Sequence, residues 1–232
     1  MNDALEGTAA QVADMLFDRG AVKFAGVAGA PQEGFKLKLH EKEPDAPLSP
    51  IYLNIRGVGH KDGTLLPEDF DLIAALLGNL IDAFCREYEY LAGIPVAGEP
   101  IADALMRKYS SMQSNVRQLH FRKQENQSER RIGEIQEDVE ADRRIVLVDH
   151  LITKADTKLE AISVCEAFPL EVEAVVVLVD RQQGGISQIE SAGHEIVAAL
   201  KLSELLSYYV ETARIDQAKA DEVEQYLKKS RG

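Results

Sequence analysis

The sequence has no tryptophan, only two cysteines, and an aromatic share of 6%. It also lacks any apolar run near the ~20 residues that a membrane helix needs. The scarcity of aromatics leaves the core to aliphatic side chains, and a hydrophobic share of 45% is enough to fill one, which excludes a globally disordered chain. Cations are in deficit: 26 Lys and Arg against 39 Asp and Glu give a formal charge of −13. That balance argues against a general nucleic-acid binder, whose affinity comes from clustered Lys and Arg. It leaves room for a small anion, which needs only a local patch of N–H groups and a few cations. The start, MNDALEGTAAQVADML, carries acids and no apolar segment of the secretory kind. Cys85 and Cys165 lie far apart, each within a predicted helix, and read as reduced core residues. No repeat or low-complexity stretch is present. The expectation is a cytoplasmic globular protein with neither a nucleic-acid nor a membrane partner.

Along the chain, Leu5, Val12, Met15 and Leu16 give a helical spacing over 4–19 that Gly20 stops. A Gly- and Pro-rich stretch runs from Gly26 to Pro50, with FKLKL (35–39) inside it and IYLNI (51–55) after it as strand candidates. Pro67 opens a long helix with acids in its first turn and an apolar stripe. YLAGIPV (90–96), a helix from about Pro100 to Tyr109, and the strand candidate VRQLHF (116–121) follow. Residues 122–143 are almost wholly polar, too long for an ordinary connection, and are expected to form a mobile functional loop or a hairpin. RIVLVD (144–149) and EAVVVLVD (173–180) are continuous apolar strands of the type buried on both faces of a parallel sheet. Helices at 155–168, from after Gly185 to Ala192, at 202–211 and at 214–229, with the strand HEIVAAL (194–200), complete the chain. The alternation predicts an α/β protein with an open, mostly parallel central sheet flanked by helices. Its ligand is expected beyond the carboxyl ends of the strands, among the loops 95–99, 149–157 and 180–185. The domain reading is 1–66 as an N-terminal helix and hood segment, 67–211 as the core and 212–232 as a C-terminal helical tail.

At these motifs the sequence resembles the orotate phosphoribosyltransferase family. The residues that carry the likeness are DRGAVKFAG (18–26), FKLKL with SPIYLNIR (49–56), LAGIPVAGEPIADAL (91–105), FRKQ (121–124), IVLVDHLIT (145–153), VVLVDRQQGG (176–185) and LKLSELL (200–206). They occur in the family's order and cover roughly Asp14 to Tyr208. The resemblance implies the type I phosphoribosyltransferase fold. It also implies a reaction in which orotate displaces pyrophosphate from phosphoribosyl pyrophosphate, with Mg²⁺, to give orotidine monophosphate. Its transition state carries positive charge on the sugar and growing negative charge on the leaving group, so it needs cations, a polarising metal and exclusion of water. By this resemblance Asp149 holds the ribose hydroxyls and stands as the possible Mg²⁺ contact. Thr153, Lys154 and Thr157 take the 5′-phosphate. Val96, Ala97 and Gly98 take the pyrophosphate. Arg122 and Lys123 open the catalytic loop, and Lys23, Lys38 and Arg181 lie at the base, where a guanidinium suits a carboxylate.

The likeness breaks where the chemistry sits. The family pattern after the strand is two acids, an apolar pair and a Thr-Thr-Gly-Gly-Ser-like turn. Here the run is Asp149, His150, Leu151, Ile152, Thr153, Lys154, Ala155, Asp156, Thr157. His150 replaces an acid, and a neutral imidazole accepts a hydrogen bond but stabilises a cationic sugar poorly. Ala155 and Asp156 replace glycines, adding a Cβ and a negative charge beside a phosphate position. In the loop, Asn126 and Ser128 fall where the family has lysine and histidine, with Arg130 and Arg131 just beyond as compensating cations. Glu99 takes a usually apolar position in the pyrophosphate loop. Two readings follow. One is an enzyme of pyrimidine biosynthesis with reduced activity, a homodimer acting on a small-molecule substrate. The other is a catalytically silent paralogue that binds a nucleotide, or that pairs with a complete paralogue as a heterodimer.

Overall fold

The computed structural model describes residues 5–37, 40, 43–112, 114–126 and 129–229; of residues 123–126 and 129–131 it describes the backbone alone. Lys38 and Ser128 lie outside the described residues. The chain divides into two compact units, residues 1–66 with 202–232, and residues 67–201.

The first unit begins with α1 (Gly7–Asp18), whose Val12, Ala13 and Leu16 are buried at helical spacing. A short antiparallel pair follows, β1 (Val22–Phe24) and β2 (Ile51–Leu53). β1 has three residues, too few for alternation to announce it in the sequence. Of the FKLKL strand expected at 35–39, residues 38 and 39 lie outside the described residues; among residues 35–37, Phe35 makes a single bridge to Ser49, and a left-handed Gly34 (φ +110°) turns the chain just before it. Helices α6 (Leu202–Glu211) and α7 (Gln217–Lys229) complete this unit, so the 202–211 helix, read in the sequence with the core, clusters with the amino-terminal segment. Tyr209 of α6 is fully buried, donates to the Ala13 carbonyl at 2.8 Å and meets Phe17 and Phe24 edge-on or tilted. Arg214 pairs with Asp14 and Asp18 of α1.

The second unit opens with α2 (Pro67–Phe84), then β3 (Tyr90–Gly93), α3 (Glu99–Ser111) and β4 (Arg117–Leu119). The polar stretch after β4 forms an antiparallel hairpin, β5 (Phe121–Asn126) and β6 (Glu129–Ile135). β7 (Arg143–Ile152), α4 (Asp156–Ala167), β8 (Leu170–Asp180), α5 (Gly185–Ser191) and β9 (Ile196–Lys201) follow. The sheet order is β4-β3-β7-β8-β9, with every pairing parallel. β7 and β8 sit in its interior, which is why their apolar runs are continuous. β7 also runs past Asp149 to Ile152, with Leu151 opposite Val179 and Ile152 opposite Asp180. Two apolar residues and no glycine let pairing continue into what the sequence suggested was a turn.

Candidate active site

Parallel strands bring three loops to one end of the sheet. After β3, the chain turns back on β7: Ile94 N–H donates to the Val148 carbonyl and Gly98 N–H to the Ile94 carbonyl, each at 2.9 Å. A Cβ on Gly93 would lie 2.3 Å from the Gly98 carbonyl oxygen, and one on Gly98 would lie 2.4 Å from that of Val148. Glycine is therefore required at both positions. Val96 is half-buried, Ala97 buried, and Glu99 falls in the first turn of α3, where the helix dipole favours an acid.

After β8, Arg181 N–H donates to the Ile152 carbonyl at 3.0 Å, tying this loop to the last residue of β7. Asp180 accepts the Gln182 N–H, Gln182 and Gly184 adopt left-handed backbones, and Gly185 abuts Ile152 and the Thr153 carbonyl. Arg181 is buried at this sheet end, 8% exposed.

Between them lies the end of β7. Asp149 is 3% exposed. Its Oδ1 accepts both the backbone N–H and the ring Nδ1–H of His150, each at 2.7 Å. Its Oδ2 accepts the Lys158 ammonium at 2.5 Å. Burial alone would push the Asp149 carboxyl up, but the Lys158 and His150 charges and their hydrogen bonds outweigh it and hold it at about 2. Lys158 is 6% exposed and donates a second bond to the Leu151 carbonyl at 2.7 Å. Sequence motifs alone do not single out Lys158. The signal was there: it shares the buried stripe of α4 with Ala161, Ile162 and Cys165, a position that spacing assigns to an apolar residue.

In the turn beyond, Thr153 is half-buried, Lys154 and Thr157 are exposed, and Asp156 is exposed in the first turn of α4. The Ala155 N–H donates to Oε1 of Gln188 from α5 at 2.9 Å. An amide of the turn that the resemblance assigns to the phosphate is thus taken by the chain itself.

The hairpin root is fixed. Phe121 and Ile135 are buried in the core, and Glu160 of α4 accepts the Ile132 N–H at 3.0 Å. Glu137 grips His120 through its backbone N–H and ring. Arg122 is exposed at this root. The strands carry Lys123, Arg130 and Arg131, with Glu125 opposite Arg130 and Gln124 opposite Arg131, but these side chains lie outside the described residues. In the first unit, Lys23 lines a cleft of about 510 Å³ with Lys36, Asp62 and a stacked Phe35–Tyr52 pair whose centroids are 5.5 Å apart. Cys85 and Cys165 are free, buried thiols, each pushed up to about 12 chiefly by burial.

The resemblance implied Mg²⁺. A cation held through Asp149 would need one of its oxygens, and both already accept hydrogen bonds, one of them from an ammonium. Among the described residues no cluster of three or more His, Cys, Asp or Glu side chains forms a donor set. The residues at this strand end do not fit a metal bound through Asp149.

No protein-family model matches the chain. It is 27% identical over 193 residues to the orotate phosphoribosyltransferase of Thermococcus gammatolerans, covering 83% of this chain and 89% of the relative. It is 29% identical over 164 residues to that of Aquifex aeolicus, covering 71% and 88%. The Leishmania donovani UMP synthase structure superposes with a TM-score of 0.73 at 26% identity, covering 96% of this chain; the chain spans 43% of that protein's length. The orotate phosphoribosyltransferase of Francisella tularensis superposes with a TM-score of 0.67 over 98% of both chains, at 15% identity. A parallel sheet in this order, with these superpositions, defines a type I phosphoribosyltransferase fold. Within that class the chain is similar, at 27% and 29% identity, to the orotate phosphoribosyltransferases of Thermococcus gammatolerans and Aquifex aeolicus.

Proposed function

We propose that this chain is an orotate phosphoribosyltransferase-like protein of pyrimidine nucleotide biosynthesis, one that holds a nucleotide but transfers phosphoribosyl groups slowly on its own. The supporting observation is the state of Asp149: Lys158 and His150 already occupy the carboxylate that would meet the ribose hydroxyls. In the reaction, the ribose C1–oxygen bond breaks, pyrophosphate leaves with the electron pair, and a ring nitrogen of orotate closes the new bond. Arg181 would pair with the acceptor's carboxylate. Val96, Ala97 and Gly98 would face the pyrophosphate, with Arg122 and Lys123 covering it. Thr153, Lys154 and Thr157 would hold the 5′-phosphate. A carboxylate neutralised by an ammonium stabilises a cationic sugar poorly, and Asn126 and Ser128 offer the leaving group no charge.

Those two loop positions favour a second reading, in which a complete paralogue completes the site as a heterodimer partner. A homodimer in the cytoplasm is the corresponding assembly for the first. Both are tested by following orotate absorbance with phosphoribosyl pyrophosphate and Mg²⁺. Turnover is expected about 10²-fold or more below an unaltered family member, while orotidine monophosphate raises the Tm. Turnover at an ordinary enzyme rate would overturn the slow-transfer reading. No stabilisation by the nucleotide would overturn the binding one. A rate on adding a complete paralogue that exceeds the paralogue's own would support the heterodimer.

A further inference from the structure

We propose that Lys158 is a built-in counter-ion for Asp149, and that the sugar subsite at the end of β7 therefore takes its ligand without a divalent cation. This rests on the reading above that the site accepts a ribose phosphate. The geometry leaves little freedom. Asp149 and Lys158 are 3% and 6% exposed, and the ammonium lies 2.5 Å from Oδ2. It also donates to the Leu151 carbonyl at 2.7 Å, near the end of the same strand. A metal ion sits about 2.0–2.6 Å from a ligating oxygen. At Oδ2 that volume is already filled by a positive charge of the chain's own, and Oδ1 accepts two N–H groups of His150.

The local charge follows the same logic. The Asp149–Lys158 pair is one acid and one base and sums to zero. A strand ending in two acids has a surplus of negative charge beside an anionic ligand, and a cation relieves it. Here Lys158 has removed the surplus from within, so a metal there would add charge to a site already balanced. A buried ion pair of purely structural purpose would leave the ligand's dependence on metal untouched, which separates the two accounts.

Ribose 5-phosphate is the probe, because it presents the diol and the phosphate without a pyrophosphate that binds Mg²⁺ itself. Its affinity for the full chain is measured by calorimetry in Mg²⁺ and again in EDTA. For the wild type the two values are expected within about twofold, and Mn²⁺ alone gives no protein-bound signal in electron paramagnetic resonance. Lys158→Gln keeps a donor to Asp149 but removes the charge. Its affinity is expected to fall about tenfold in EDTA, the effect of about 1.4 kcal/mol, and to recover in Mg²⁺. The wild-type measurements decide even where the variant fails to fold. A wild-type affinity that collapses in EDTA, or Mn²⁺ bound by the wild type, overturns the inference, as does a folded Lys158→Gln indifferent to metal. No binding of ribose 5-phosphate in either buffer overturns the functional reading, and this inference with it.

Discussion

At the scale of single residues, the molecule is defined by one carboxylate and its two partners. Burying Asp149 and Lys158 costs each its hydration, and their attraction offsets that cost only while both are present. Asp149→Asn or Lys158→Met alone should each lower stability by about 3–5 kcal/mol, since either leaves one buried charge unpaired. The double substitution should cost well under the sum, a coupling that urea denaturation of the four proteins measures directly. Additive losses would show that the two charges do not depend on each other. The acid limb carries a second expectation. Asp149 is depressed from 3.8 to about 2, so its contribution is complete above about pH 5 and is lost as pH falls through 2. Roughly 2 kcal/mol should vanish over that range, and the double variant should show a flatter acid limb by circular dichroism.

At the scale of elements, the strands and helices were largely legible because their patterns are simple. The runs 145–149 and 174–180 are apolar without alternation, and both lie inside a parallel sheet. Two features were not legible. The β7 strand reads as ending at Asp149, where the chain turns polar, yet pairing with β8 carries it on to Ile152. Pairing is a property of two strands, and one strand's composition does not report it. Lys158 was hidden for the opposite reason. Its position on the α4 stripe was readable, but the carboxylate that makes a buried lysine tolerable lies nine residues away and meets it only in the fold. The loop after β3 shows a position where sequence and packing agree. Gly98→Ala places a Cβ 2.4 Å from the Val148 carbonyl, so β7 or the loop must move. A loss of about 1–3 kcal/mol is expected, read as a lower Tm. An unchanged Tm would mean that the loop relaxes freely.

At the scale of the whole molecule, the two units differ in how the chain composes them. The second, 67–201, is continuous, and the first joins 1–66 to 202–232. The core of the first unit depends on that return: Tyr209 reaches Ala13, and Arg214 reaches Asp14 and Asp18. Truncation after Lys201 should leave the second unit protected in hydrogen exchange while residues 7–55 become open to limited proteolysis. Protection of that segment in the truncated protein would show that α6 and α7 are dispensable to it. The same arrangement bears on synthesis. During synthesis α1 is made before the side chains that cover it, which are encoded almost two hundred residues later. The 67–201 unit holds every strand of its sheet in one continuous stretch, whereas α1 must wait for α6 and the residues after it before its own core can close.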